Sequence, residues 1–128
     1  MIQAFQNYLG NQDITFRFLN DDHTLLTFDL GNVHYLFYYR REDDPNYVRL
    51  IIPNIATIDT NDQQAVLSLF NLSQGYKVGK AIIEDGQLWL TADAFVFMRE
   101  NNDRLFDRLI AVLRDMLNEY RRMNNEQG

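Results

Sequence analysis

Val66 to Asp93 reads VLSLFNLSQGYKVGKAIIEDGQLWLTAD, and a change of period inside it decides the class of fold. Ala65, Val66, Leu69 and Phe70 recur at helical spacing, and Gly75 ends the run, so this segment is predicted to be a helix. Thr60 with Gln63 matches a capping box at its start. From Tyr76 the period becomes two. Tyr76 to Glu84 and Gln87 to Asp93 are two predicted strands joined by Asp85-Gly86, a turn pair that accepts the positive φ of a tight hairpin. Leu88 and Leu90 then face the core, with Trp89 and Thr91 on the other side.

Upstream, Ile2, Phe5, Tyr8 and Leu9 predict a short helix over residues 1 to 10, with Gly10 as its terminator. Ile14, Phe16 and Phe18 alternate with Thr15 and Arg17, as in a half-buried strand. After the turn Asn20 to His23, a second strand, Thr24 to Leu30, closes through Gly31-Asn32 onto a third, Val33 to Arg40, which is aromatic on both faces and therefore central. A polar turn, Arg41 to Asn46, leads to a fourth strand, Tyr47 to Ile52, which Pro53 ends. Downstream, Leu105, Phe106, Leu109, Ile110, Leu113, Met116, Leu117 and Tyr120 form one apolar stripe, a long closing helix capped by Asn101 or Asn102. Arg121 and Arg122 fall in its expected last turn, and Asn124 to Gly128 is expected to fray. The expected architecture is one α+β domain over residues 1 to 128, in the order α-β-β-β-β-α-β-β-α, with an antiparallel sheet built from a strand meander plus a hairpin.

Composition narrows the function. The chain has 128 residues with no cysteine, so a disulfide framework, a thiolate metal site and a cysteine nucleophile are all excluded. Lys and Arg number 12 against 18 Asp and Glu, a net charge of -6, with Lys77 and Lys80 the only lysines. Binding to a phosphate backbone needs clustered cations, so nucleic acid is not the expected partner. Residues 1 to 10 lack the basic and apolar regions of a signal peptide, and no apolar run is long enough to span a bilayer. A cytoplasmic protein with no membrane contact is expected.

The order of elements, together with Asn71, Gly79, Asp85-Gly86 and Asp93 within the quoted stretch and the closing helix Leu105 to Tyr120, resembles the YbjN family and its structural relatives, the type III secretion chaperones. The likeness departs in the tyrosine-rich third strand and in the aromatic segment Ala94 to Met98. It implies a non-enzymatic, often dimeric domain that holds a partner polypeptide, with no catalytic residues to carry over and no cofactor.

Read for chemistry, the residues themselves give little. Gly75 to Lys80, GYKVGK, has one residue too few between its glycines for a phosphate-binding loop, and Ala81 stands where a hydroxyl is required. Asp21, Asp22 and His23 read as a solvated turn rather than a metal site. His34 could act as a base, but no nucleophile or oxyanion motif accompanies it. Glu42, Asp43 and Asp44 lack the spacing of a calcium loop. What remains is apolar surface. If the helices cover one face of the sheet, the opposite face carries Leu36, Tyr38, Tyr47, Arg49, Ile51, Ile82 and Trp89, residue types common at binding hot spots. The alternatives are that another segment of the chain covers this face, or that a register slip exchanges the faces. A homodimer could use this patch, or the second helix through Leu67 and Leu72. A rival expectation is a small-molecule-binding or regulatory domain, with a pocket between the closing helix, residues Phe95 to Phe97 and the sheet.

Overall fold

The structure, a computed structural model, describes residues 2–39, 47–95 and 102–127. Three helices and six strands follow one another as α1 (Ile2–Asn11), β1 (Phe16–Phe18), β2 (Leu25–Leu30), β3 (Val33–Tyr39), β4 (Tyr47–Ile52), α2 (Gln63–Gln74), β5 (Gly79–Glu84), β6 (Gln87–Phe95) and α3 (Asp103–Gln127). The strands form one antiparallel sheet in the order β1-β2-β3-β4-β6-β5. The meander holds, and the hairpin joins it by its second strand, so β5 is an edge.

Turn chemistry sets the two tight hairpins. Gly31 and Asn32 have φ of 59° and 62°, and Asp85 and Gly86 have 50° and 77°. Positive φ at both central residues is the turn whose twist matches the flanking strands. β4 ends at Ile52, just before Pro53, and the chain beyond it stays beside β6. Between the pairs Ile52 with Leu90 and Thr57 with Gln87, residues 53–56 on one side oppose only 88 and 89 on the other. Asn54, with φ 52°, absorbs this bulge, after which Ile55 N donates to Leu88 O and Leu88 N to Ala56 O.

All three helices lie on one face. Phe5 of α1 stacks on Phe37 at 3.8 Å, and Phe106 of α3 meets Phe5 edge-on at 4.9 Å. Such pairs contribute about 1 kcal/mol each beyond the area they bury. Leu26, Phe28, Tyr35, Val48, Leu50, Leu88, Leu90 and Ala92 complete the core from the sheet, and Leu109, Leu113, Met116 and Leu117 from α3. Gly79 is required by close approach: a Cβ there would collide with Met116 Sδ and lie 3.0 Å from Val112 Cγ1. Tyr8 Oη donates to Asp107, and Tyr76 Oη donates to Asp115 at 2.6 Å, tying α1 and the approach to β5 onto α3.

Local details correct several expectations. α1 runs through Gly10, and the left-handed residue that ends it is Asp13, φ 57°. Asp62, not Thr60, caps α2, its carboxylate accepting from Gln64 N and Ala65 N; the acidic acceptor next to the helix outcompetes the hydroxyl further out. The side of α2 turned to the core is Leu69 and Leu72, while Val66 and Phe70 are exposed. β1 and β5 begin later than the alternation suggests, at Phe16 and Gly79, and β6 extends to Phe95. α3 runs to Gln127, so Arg121 and Arg122 lie before its last turn and the expected fraying from Asn124 is replaced by helix. Arg40, the turn Arg41 to Asn46 with its acidic run, the loop positions 96–98 and the Asn101 cap lie outside the described residues. No described helix is long and apolar enough to cross a membrane.

Candidate functional site

The face of the sheet turned away from the helices holds all seven residues expected there. Cross-strand partners place Leu36 beside Ile51, Tyr38 beside Arg49 and Ile82 beside Trp89. No described helix lies over this face. Leu36, Tyr38, Tyr47, Arg49, Ile82 and Trp89 are half-buried among one another, whereas Ile51 is only 7% exposed and Thr91 beside it 3%. Ile51 therefore serves as the floor of the patch rather than as reachable surface. Trp89 Nε1 donates to Asn54 Oδ1 at 3.1 Å, so the β4 bulge fixes the indole on the face.

Four residues at one end form a polar-aromatic cluster. Arg49 Nε and Nη2 donate to the two oxygens of Asp93 at 2.8 and 3.1 Å across the β4–β6 pair, and Arg49 Nε is 3.2 Å from Tyr47 Oη. The Arg49 guanidinium carbon also lies 5.9 Å from the Tyr47 ring centroid, and Phe95 meets the same ring at 5.8 Å. The hydrogen bonds to Asp93 raise the affinity of Arg49 for its proton, and burial, followed by the bond with Asp93, raises that of Tyr47. Partly solvated, the ion pair contributes about 1 kcal/mol at most to stability. Its larger effect is to neutralise the charge of Arg49 at this end of the face. Phe95, 60% exposed, belongs to this cluster and was not assigned to the face from sequence. Alternation continued from Trp89 through Thr91 and Asp93 would have found it, and Leu25, opposite Tyr38, by the same rule.

The opposite end is polar. Thr27 Oγ1 lies 2.9 Å from His34 Nε2, and His34 Nδ1 lies 2.8 Å from Asp29 Oδ1, the connectivity of a catalytic triad. The geometry is not. Oγ1 is also 3.3 Å from Nδ1, which puts it over the ring instead of on the in-plane lone pair of Nε2, and it donates to Tyr35 O at 3.1 Å. His34 and Asp29 side chains are 52% and 77% exposed, so water competes for both. A hollow of about 660 Å³ beside them is lined by Arg17, Asp13 and Thr15 as well as by these residues. A smaller one of about 200 Å³ lies between α2 and α3, over Ile58, Leu69 and Tyr120. That is below the roughly 300 Å³ at which ligand pockets begin. The pocket expected beside Phe95 to Phe97 falls partly outside the described residues.

The remaining motifs resolve structurally. In Gly75 to Lys80, Gly75 caps α2 and Gly79 is buried under Met116, which blocks any approach of a phosphate to its backbone. His23 stacks on Phe18 at 4.2 Å, and Asn20 Oδ1 accepts from Thr24 N and Leu25 N to hold the turn. Among the described residues no group of three or more His, Cys, Asp or Glu is placed to hold a metal ion. Of the pair on α2, Leu67 is exposed but Leu72 is in the core and offers no surface.

No protein-family model matches the sequence, and no curated protein matches it. Among solved structures, the crystal structure of YbjN from E. coli, a proposed transcription regulator, is similar over 97% of this chain and 93% of that one, with a TM-score of 0.69 and 10% sequence identity. At that identity the likeness is one of fold, and the fold of this chain is the α+β fold of YbjN.

Proposed function

We propose that this domain is a non-enzymatic protein-interaction module that holds an extended, apolar segment of a partner polypeptide across the bare face of its sheet. One observation carries the reading: a sheet face with no described helix over it presents apolar and aromatic side chains, Leu25, Leu36, Tyr38, Ile82, Trp89 and Phe95, on strands from β2 across the sheet to β5. The solvated face of an antiparallel sheet is ordinarily polar. Tyr, Trp and Arg anchor binding hot spots, and the internal pairing of Arg49 with Asp93 favours an uncharged segment over an acidic or basic one. The resemblance to type III secretion chaperones points the same way. YbjN is described as a proposed transcription regulator. For this chain, with 18 acidic against 12 basic residues, a regulatory role would act through a protein partner rather than by direct DNA contact. The rival, a small-molecule-binding domain, has less support, because the hollow at the β1 end is open and polar and the one beside α2 is small.

The test is selection from a displayed random-peptide library. Recovered peptides should be rich in alternating apolar and aromatic residues. They should shift the emission of Trp89, the only tryptophan, to shorter wavelength. Phe95→Asp and Tyr38→Asp should abolish binding with the far-ultraviolet spectrum unchanged. Recovery of no peptide, or equal binding by wild type and both variants, would refute the reading.

A further inference from the structure

One row of residues on the bare face crosses every strand of the sheet. Cross-strand partners run Arg17, Thr27, Leu36, Ile51, Thr91, Lys80, from the β1 edge to the β5 edge. Thr27, Ile51 and Thr91 are 7%, 7% and 3% exposed although no described helix lies over them, and Leu36 is half-buried. Longer side chains stand in the rows on either side, Tyr38 and Arg49 on one, His34 and Trp89 on the other. Compact side chains between long ones make the row the floor of a trough that runs perpendicular to the strands. Each mouth of the trough holds an exposed cation, Arg17 at one and Lys80 at the other. Among the described residues neither is ion-paired. The acids beside them are already engaged: Asp29, diagonal to Arg17, by His34, and Asp93, diagonal to Lys80, by Arg49, each at 2.8 Å. Asp13 and Glu84 lie off the row. In a chain of net charge -6, the floor of this trough is uncharged and both its mouths are cationic.

Resting on the reading of this face as a polypeptide site, we propose that the bound segment crosses the strands along this trough and carries an acidic residue at each end of an uncharged apolar stretch. Strands about 4.8 Å apart put Arg17 and Lys80 about 24 Å apart across five intervals. An extended chain advances about 3.3 Å per residue, so the two acids fall about seven residues apart. Because side chains alternate, a spacing of about six or eight turns both acids toward the sheet. The apolar stretch between them meets Leu36 and Ile51, with Tyr38 and Trp89 as aromatic anchors on the two banks. The flanking charges set register more than they add affinity, because exposed ion pairs are weak. A segment running along the strands would reach at most one of the two cations, since they stand on opposite edges of the sheet.

Two displayed peptide libraries, selected on the full chain, test this. Both randomise an apolar and aromatic stretch of varied length; one flanks it with Glu and the other with Lys. Wild type should enrich the Glu-flanked peptides, with their flanks about six to eight residues apart. Arg17→Glu and Lys80→Glu, both at exposed positions, should each weaken binding of an enriched Glu-flanked peptide about two- to fivefold while keeping the wild-type circular dichroism spectrum. The double variant should prefer Lys flanks. Equal enrichment of both libraries, a preference for Lys flanks in wild type, no preferred spacing, or unchanged binding by the variants would overturn the trough layout and leave the polypeptide reading standing. Recovery of no peptide from either library would overturn both.

Discussion

Replacing Tyr35 by Phe is expected to stabilise the protein. Tyr35 stands in β3 with no solvent exposure, its ring stacked on Phe28 at 5.0 Å and 8°. Its hydroxyl is buried, and no hydrogen-bond partner reaches it among the described residues. An unsatisfied buried hydroxyl costs about 1–3 kcal/mol, and the phenyl ring keeps the stack. A gain of about 1–2 kcal/mol at neutral pH follows, which for a chain of this size raises Tm by roughly 3–8 °C. The alkaline limb adds a second signature. Burial pushes the Tyr35 hydroxyl from 10.0 up to about 12, with Arg114 opposing the shift. Between those values the unfolded chain releases this proton and the folded chain keeps it, so wild type loses stability as pH rises from 10 to 12. At ~1.4 kcal/mol per unit, Tyr35 accounts for a loss of about 3 kcal/mol, which the Phe variant escapes. Tyr76, also raised to about 12 by burial and Asp115, weakens both proteins alike, so the difference between them isolates Tyr35. Urea unfolding of the two proteins across pH 8 to 12 is the assay, over roughly the range in which tyrosines titrate. Parallel alkaline limbs, together with a Phe variant less stable than wild type, would show that the hydroxyl has a partner and refute the reasoning.

Three further substitutions probe other joints of the fold. Gly79→Ala forces a Cβ into Met116 and Val112 of α3, and urea unfolding should show a loss of about 1–3 kcal/mol. Asp62→Ala removes the acceptor for two amides at the start of α2; it should cost about 1 kcal/mol and speed hydrogen exchange at Gln64 and Ala65 first. Tyr8→Phe breaks the bond from α1 to Asp107 of α3 and should cost about 1–2 kcal/mol, with exchange rising in α1 before the sheet.

Much of the fold is legible in the sequence because its signals are local. Gly31-Asn32 and Asp85-Gly86 dictate their hairpins, β4 keeps the predicted bounds Tyr47 to Ile52, and the stripe from Leu105 to Tyr120 defines α3. Competition between near neighbours is less legible: Asp62 displaces Thr60 as a cap, and Asp13 displaces Gly10 as the residue that ends α1. The orientation of α2 was hidden for another reason. A helix with leucines on both sides has no single apolar stripe, and the choice of Leu69 and Leu72 is made by tertiary packing, against β5, which follows α2 in the chain, and against α3, which is distant in sequence. The bare face followed from period-two alternation once the strands were placed. Its internal arrangement, with Arg49 neutralised by Asp93 and Trp89 held by Asn54, depends on cross-strand register and on the bulge at Asn54 that follows the end of β4, neither of which has a local signature.

The most direct test of the bare face as a polypeptide site is amide chemical-shift mapping during titration with a peptide selected on this domain. Binding across the face should concentrate the largest shifts in β3, β4 and β6, at Leu36, Tyr38, Arg49, Trp89 and Phe95. Shifts concentrated on α2, or in the hollow beside His34, with those strands unmoved would contradict it.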